Sequence, residues 1–131
     1  MVSTLVAFVD SSAMVALVDR DDAAHTAAVE AYRSVCQSGY RLFTTDHVIV
    51  ETYDLLFSGV GAAVAHTWLT NQRLPVYSTT DEDLAAARAL LLGRSGDAPL
   101  SFTDALSLAV MERLGVNDAF AVDPAFLAAL G

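Results

Sequence analysis

One stretch constrains this chain more than any other: Leu5-Val-Ala-Phe-Val-Asp10-Ser-Ser12. Five apolar residues, mostly strand formers, run into an aspartate, and two hydroxyl residues then open a helix. A continuous apolar run of this length suits a strand buried on both faces, as in a parallel sheet. The carboxylate falls at the carboxyl end of that strand, where open α/β sheets place their ligands.

The remainder of the chain alternates in the same way. Ser11 to Val18 reads as a short helix ended by the charged turn Asp19-Arg-Asp-Asp22. A second helix over Ala23 to Val35 carries Ala24, Ala27, Ala28, Ala31, Tyr32 and Val35 at helical spacing. Arg41 to Thr44 is a second strand, and Asp46 is placed to cap a helix reaching Phe57, which Ser58-Gly-Val-Gly61 breaks. Ala62 to Thr70 is a further helix, and Leu74 to Tyr77 a third strand with Pro75 near its start, as an edge tolerates. Thr80-x-x-Asp83 and Ser101-x-x-Asp104 are capping-box patterns, opening helices that reach Leu92 and Leu114. Gly93 to Pro99 reads as a loop, and Gly115 as a C-terminal helix stop. Asp118 to Val122 is a fourth strand, after which Asp123-Pro124 caps a last helix. Strands alternating with helices imply a parallel sheet covered on both faces. The expected fold is a three-layer α/β/α sandwich with a mostly parallel sheet of four to five strands, in one domain spanning residues 1–131.

Composition narrows the function. Hydrophobic residues make up 54% and charged ones 18%, which describes a packed globule and excludes a disordered chain. The formal charge of −9 excludes nucleic-acid binding by simple charge neutralisation. All seven basic residues are Arg, with no Lys. A polyanionic substrate would therefore need metal ions or a cationic partner. The single cysteine, Cys36, excludes an internal disulfide, fits a reducing cytosol and reads as a small buried hydrophobe. The N-terminus lacks a basic n-region, and the uncharged segment between Asp54 and Arg73 is rich in Gly, Thr and His, so neither a signal peptide nor a membrane span is expected. A cytoplasmic protein is expected.

Asp10, Asp46, Asp104 and Asp123 all lie at or near predicted helix starts, and each taken singly is better explained as a cap. Placement argues for more. Strand-to-helix junctions of a parallel sheet share one edge, so Asp10 and Asp123 face the same crevice. Carboxylates brought to ~4 Å repel by roughly 4 kcal/mol at an effective dielectric of 20, and such a cluster calls for a cation. Hard oxygen donors suit Mg²⁺ or Mn²⁺. On the helix after the second strand, Glu51 and Asp54 each interrupt an apolar flank, and periodicity does not choose between them. His25, His47 and His66 have no zinc-site spacing. No phosphate-cradling glycine loop and no G-x-S-x-G elbow is present.

Val9-Asp-Ser-Ser-Ala13, Thr44-Thr-Asp-His-Val-Ile-Val-Glu51-Thr, Leu100-Ser-Phe-Thr-Asp104-Ala-Leu-Ser-Leu-Ala-Val-Met111 and Ala119-Phe-Ala-Val-Asp123-Pro-Ala-Phe126 together resemble the PIN-domain ribonucleases. In size and motif order the chain is similar to the VapC toxins of VapBC toxin–antitoxin systems. The resemblance implies an acidic quartet of Asp10, Glu51, Asp104 and Asp123, and so favours Glu51 over Asp54. Asp10 and Asp104 would be the main ligands of Mg²⁺ or Mn²⁺, Asp123 a more variable fourth member, and Glu51 the orienter of the attacking water. Ser12 and Thr103 would lend hydrogen-bonding support, and Arg94 a phosphate contact. It further implies metal-activated water cutting structured RNA (tRNA or rRNA) to leave 5′-phosphate and 3′-hydroxyl ends. A small VapB-like antitoxin covering the site and a homodimer are the implied partners. A last edge strand found in many relatives is expected to be short or absent. The competing reading is a PIN-like module that binds RNA or protein without cutting; a phosphoacceptor domain would need a lysine that this chain lacks.

Overall fold

The structure is a computed structural model that describes residues 5–94 and 100–131. Four strands, β1 (Val6–Val9), β2 (Arg41–Thr45), β3 (Val76–Tyr77) and β4 (Asp118–Phe120), form one sheet in the order β3-β2-β1-β4. Every pairing is parallel, with Phe8 opposite Phe43, Val9 opposite Phe120 and Thr45 opposite Tyr77. Seven helices accompany them: α1 (Ser11–Val18), α2 (His25–Gln37), α3 (Asp46–Gly59), α4 (Ala62–Asn71), α5 (Asp81–Gly93), α6 (Phe102–Leu114) and α7 (Pro124–Leu130). The chain steps from β1 to β2 to β3 in one direction and then returns past β1 to β4. Right-handed crossovers therefore put α1 to α4 on one face and α5 and α6 on the other. The order reverses between β1 and β4, and the crevice at that switch point is where such a sheet binds its ligand.

The core explains why β1 is continuous apolar sequence. Phe8 is fully buried, edge-on to Phe43 at 5.8 Å and against Phe126 of α7 at 6.1 Å. Val9, on the opposite face, packs with Ala13, Met14 and Val48 in the same cluster, and Thr44 satisfies the Val9 carbonyl at 2.8 Å. A second cluster of Ala87, Ala105, Leu106 and Ala109 joins α5 to α6. Small residues there let the two helices approach closely.

Several boundaries differ from the sequence-based expectations. The sheet itself is as expected, wholly parallel and four-stranded, and among the described residues only α7 follows β4. The third strand is reduced to Val76–Tyr77, with Pro75 contributing only a carbonyl that accepts the Thr44 N–H. Helix α3 is capped by the Thr45 hydroxyl, which accepts the Val48 N–H, so Asp46 is the first helical residue and not the cap. That helix runs through Gly59, and the reversal into α4 is made at Gly61 (φ +132°), a conformation L side chains rarely adopt. Of the alanine stripe on α2 only Ala28 is buried, and Cys36 is exposed. Helix α2 flanks the sheet without a further layer above it, so one narrow stripe is all it can bury. The expected loop between Gly93 and Pro99 begins after α5, and residues 95–99 lie outside the described residues.

Buried polar chemistry closes the far end of the α5–α6 pair. Thr80 and Asp83 form the expected capping box. Asp83 also has no exposed side-chain surface and accepts hydrogen bonds from the Tyr77 hydroxyl and the Arg113 guanidinium. Burial pushes the Asp83 carboxyl up, but the Thr80 N–H, Tyr77, Arg113 and the Thr80 hydroxyl outweigh it and hold it at about 2. One residue thus ties β3, α5 and α6 together. No helix among the described residues is long and apolar enough to cross a membrane.

Candidate active site

Four loops and helix starts meet at the carboxyl edge of the sheet. Asp10 follows β1 directly, and its N–H still pairs with the Phe120 carbonyl of β4 at 3.0 Å. Its carboxylate is 1% exposed. One oxygen, Oδ2, caps α1 by accepting the Ser12 N–H (3.1 Å) and the Ser12 hydroxyl (2.7 Å). The other, Oδ1, is buried with no hydrogen-bond partner among the described residues. A buried acceptor left unpaired costs about 1–3 kcal/mol, so native structures rarely leave one without a counterpart.

Ser12 reaches further than its neighbour. Its Oγ also accepts the N–H groups of Val122 (3.0 Å) and Asp123 (3.2 Å), locking the start of α1 to the end of β4. Asp123 caps α7 through Oδ2, which accepts the Phe126 N–H at 3.1 Å, and Pro124 occupies the first helical position. Glu51 lies in the second turn of α3, and its carboxylate accepts the Ser11 hydroxyl. Ser11 escaped the sequence reading. Its only signal there is a place as the first of the two hydroxyl residues after Asp10, which in isolation reads as helix-start chemistry.

Asp104 enters from the other face of the sheet, at the third position of α6. Ser101 caps that helix by accepting the Asp104 N–H at 3.0 Å. The returning half of the expected capping box is not made among the described residues. The Asp104 carboxylate stands instead in the field of the other acids. Burial, then the charge on Asp10, and then those on Glu51 and Asp123 raise its pKa to about 6, against the pull of Ser101. Burial likewise raises Asp10, with a further push from Glu51, while the Ser12 bonds draw it part of the way back. Asp10, Glu51, Asp104 and Asp123 are therefore one electrostatic unit, drawn from four separate parts of the chain.

The remaining predicted site residues lie further out. Thr103 makes no side-chain hydrogen bond among the described residues; it lines a groove of about 610 Å³ beside the acids with His47, Glu51 and Asp54. Asp54 is exposed on that wall. Arg94 is exposed at the C-terminal cap of α5, next to the residues that are not described. A larger cavity of about 860 Å³ between α5, α6 and α7 is lined by none of the four acids.

The donor set fits a divalent cation of the Mg²⁺ or Mn²⁺ type: oxygen only, mostly carboxylate, with the buried Asp10 Oδ1 unpaired. Among the described residues no three His, Cys, Asp or Glu side chains are grouped closely enough to hold a metal ion between them, so a cation here would bridge the acids partly through water. Water would fill the other positions, as Mg²⁺ ordinarily demands.

A four-stranded parallel sheet with acids gathered at its switch point defines an α/β sandwich with an acidic crevice, and residues 7–129 match the PIN domain. This chain belongs to the PIN-domain family. It is similar to the 23S rRNA-specific endonuclease VapC20 of Mycobacterium tuberculosis, in strains CDC 1551 / Oshkosh and H37Rv. Identity to each is 34% over 124 residues, which is 93% of this chain and 92% of theirs. The crystal structure of Mycobacterium tuberculosis VapC20, described as a sarcin–ricin loop cleaving toxin, superposes with a TM-score of 0.80. It is 30% identical, over 95% of this chain and 94% of that one.

Proposed function

We propose that this chain is a Mg²⁺- or Mn²⁺-dependent endoribonuclease and the toxin of a type II toxin–antitoxin pair. The observation that carries the reading is the Asp10 carboxylate, buried with one oxygen unpaired inside the field of Glu51, Asp104 and Asp123. When bound, the metal supplies a Lewis acid for the phosphate and lowers the pKa of a coordinated water. Asp10, Asp104 and Asp123 would hold it. Glu51, kept in place by Ser11, orients the attacking water and receives its proton. Ser12 fixes the spacing between Asp10 and Asp123 through its bonds to both segments. The products are a 5′-phosphate and a 3′-hydroxyl, because the RNA 2′-hydroxyl is not required as nucleophile.

Similarity to VapC20 over nearly the whole chain supports ribosomal RNA, and the sarcin–ricin loop in particular, as substrate. The acidic surface favours recognition of one structured RNA over broad binding. It also suits a small VapB-like antitoxin that brings basic residues to the crevice, in the cytoplasm. The apolar excess of the chain, 54% hydrophobic residues, suits a homodimer. The direct test incubates the protein with total bacterial RNA in Mg²⁺, Mn²⁺ or chelator, beside Asp10→Asn. The reading expects a discrete cut in 23S rRNA with either metal, and none with chelator or the variant. Metal-independent cutting, or full activity of Asp10→Asn, contradicts it.

A further inference from the structure

The groove beside the acids contains one basic side chain, and its ring is held. His47 lies one helical turn before Glu51 on α3, so the two share a face, and both line the 610 Å³ groove with Asp54, Ser58 and Thr103. Its Nδ1 is 3.1 Å from Asp46 Oδ1 and 2.8 Å from Thr79 Oγ1. The Thr79 hydroxyl and N–H also donate to Asp46, at 3.0 and 3.3 Å. Burial works to raise the Asp46 carboxyl, but the His47 ring and the two Thr79 donors outweigh it and keep it below the usual range. A carboxylate there accepts from Nδ1–H and leaves Nε2 as the ring's remaining nitrogen, on a side chain 39% exposed.

We propose that His47 is an RNA-phosphate contact, its Nε2 edge hydrogen-bonding a backbone phosphate oxygen next to the scissile nucleotide. The charge inventory argues for it. A polyanion approaching Asp10, Glu51 and Asp104 meets repulsion, the chain has no Lys, and none of its seven Arg lines this groove. The groups around the ring are acidic or neutral. Asp46, Glu51 and Asp54 of its own helix are acids, the segment before α5 contributes the neutral Thr79, and α6 contributes Thr103 followed by Asp104. Asp46 and Thr79 are then positioning residues, orienting the ring so that a second hydrogen-bonding edge faces the substrate.

The inference rests on the nuclease reading, and the same experiment separates the two. Single-turnover cleavage of an RNA hairpin carrying the 23S rRNA sarcin–ricin loop is measured in Mg²⁺ across a KCl series. Wild type, His47→Ala and His47→Gln are compared at pH 6. At pH 6, His47→Ala should raise the half-saturating enzyme concentration roughly tenfold, with the saturating rate within about twofold. The logarithmic salt dependence should become shallower by about 0.7–0.9, one phosphate's worth. His47→Gln, a neutral donor, should recover part of the affinity and none of the salt slope. Unchanged affinity and salt slope at pH 6 overturn the proposal while leaving the nuclease reading intact. So does a fall in saturating rate with affinity and slope unchanged. A wild-type protein that never cuts overturns both.

Discussion

At the residue scale, the two oxygens of Asp10 divide two roles between them. As a helix cap it needs one oxygen, and Oδ2 supplies it; the buried Oδ1 has no structural task. Asp104 shows the complementary signature, a carboxyl raised to about 6 by burial and by the acids around it. A group raised above its unfolded pKa of 3.8 gives stability that is complete below that value and lost as pH rises through about 6. The metal-free protein should therefore lose thermal stability between about pH 4 and pH 6. Asp104→Asn should remove much of that loss. It should abolish cleavage by at least about 10²-fold, yet melt a few degrees higher than metal-free wild type at pH 7. A melting series in chelator, with an RNA cleavage assay alongside, checks both halves. Asp10 is legible from its place at the carboxyl end of the first strand, and Asp104 only through the resemblance of its S-F-T-D segment, because a helix start alone reads as a cap. Glu51 was not separable from Asp54 by periodicity, since both interrupt the same apolar flank. What distinguishes them is a contact from another helix, the Ser11 hydroxyl.

At the element scale, the junction of β1, α1 and β4 depends on one hydroxyl. Ser12→Ala removes the donor to Asp10 and strands the N–H groups of Val122 and Asp123. It should cost about 1–3 kcal/mol in chemical denaturation and lower cleavage about 10–100-fold, through weaker metal binding. Metal titration by calorimetry should show the affinity loss directly; unaltered affinity would return Ser12 to a purely structural role. On the α5–α6 pair, Asp83 obeys the opposite sign from Asp104. Its pKa, held at about 2, gives stability present above 3.8 and lost as pH falls through 2. Asp83→Asn should be destabilised at neutral pH, and its deficit relative to wild type should narrow between about pH 4 and pH 2 in urea melts. The sequence showed Asp83 as half of a capping box. Its burial against Arg113 and Tyr77 was hidden, because those partners lie 30 residues downstream and six upstream. The expected burial of Cys36 on α2 fails for a related reason. Helical periodicity reports which face is apolar and says nothing about how much of it another element covers.

At the scale of the whole molecule, the alternation of strands and helices and the apolar continuity of β1 were enough to predict a parallel sandwich. The strand order was beyond local pattern, yet it decides the site. Because β4 returns to the far side of β1, the ends of these two strands flank the switch point, and Asp10 and Asp123 meet there. The −9 formal charge then becomes part of one account in which cations, His47 and a basic partner offset the acids around a polyanionic substrate. That account turns on a cation held at Asp10 and Asp104, which anomalous diffraction from crystals grown in Mn²⁺ would reveal. A manganese peak at about 2.0–2.2 Å from Asp10 Oδ1 and from the Asp104 carboxylate is the predicted result. Crystals saturated with Mn²⁺ that show no peak there, or show one only elsewhere on the chain, would contradict it.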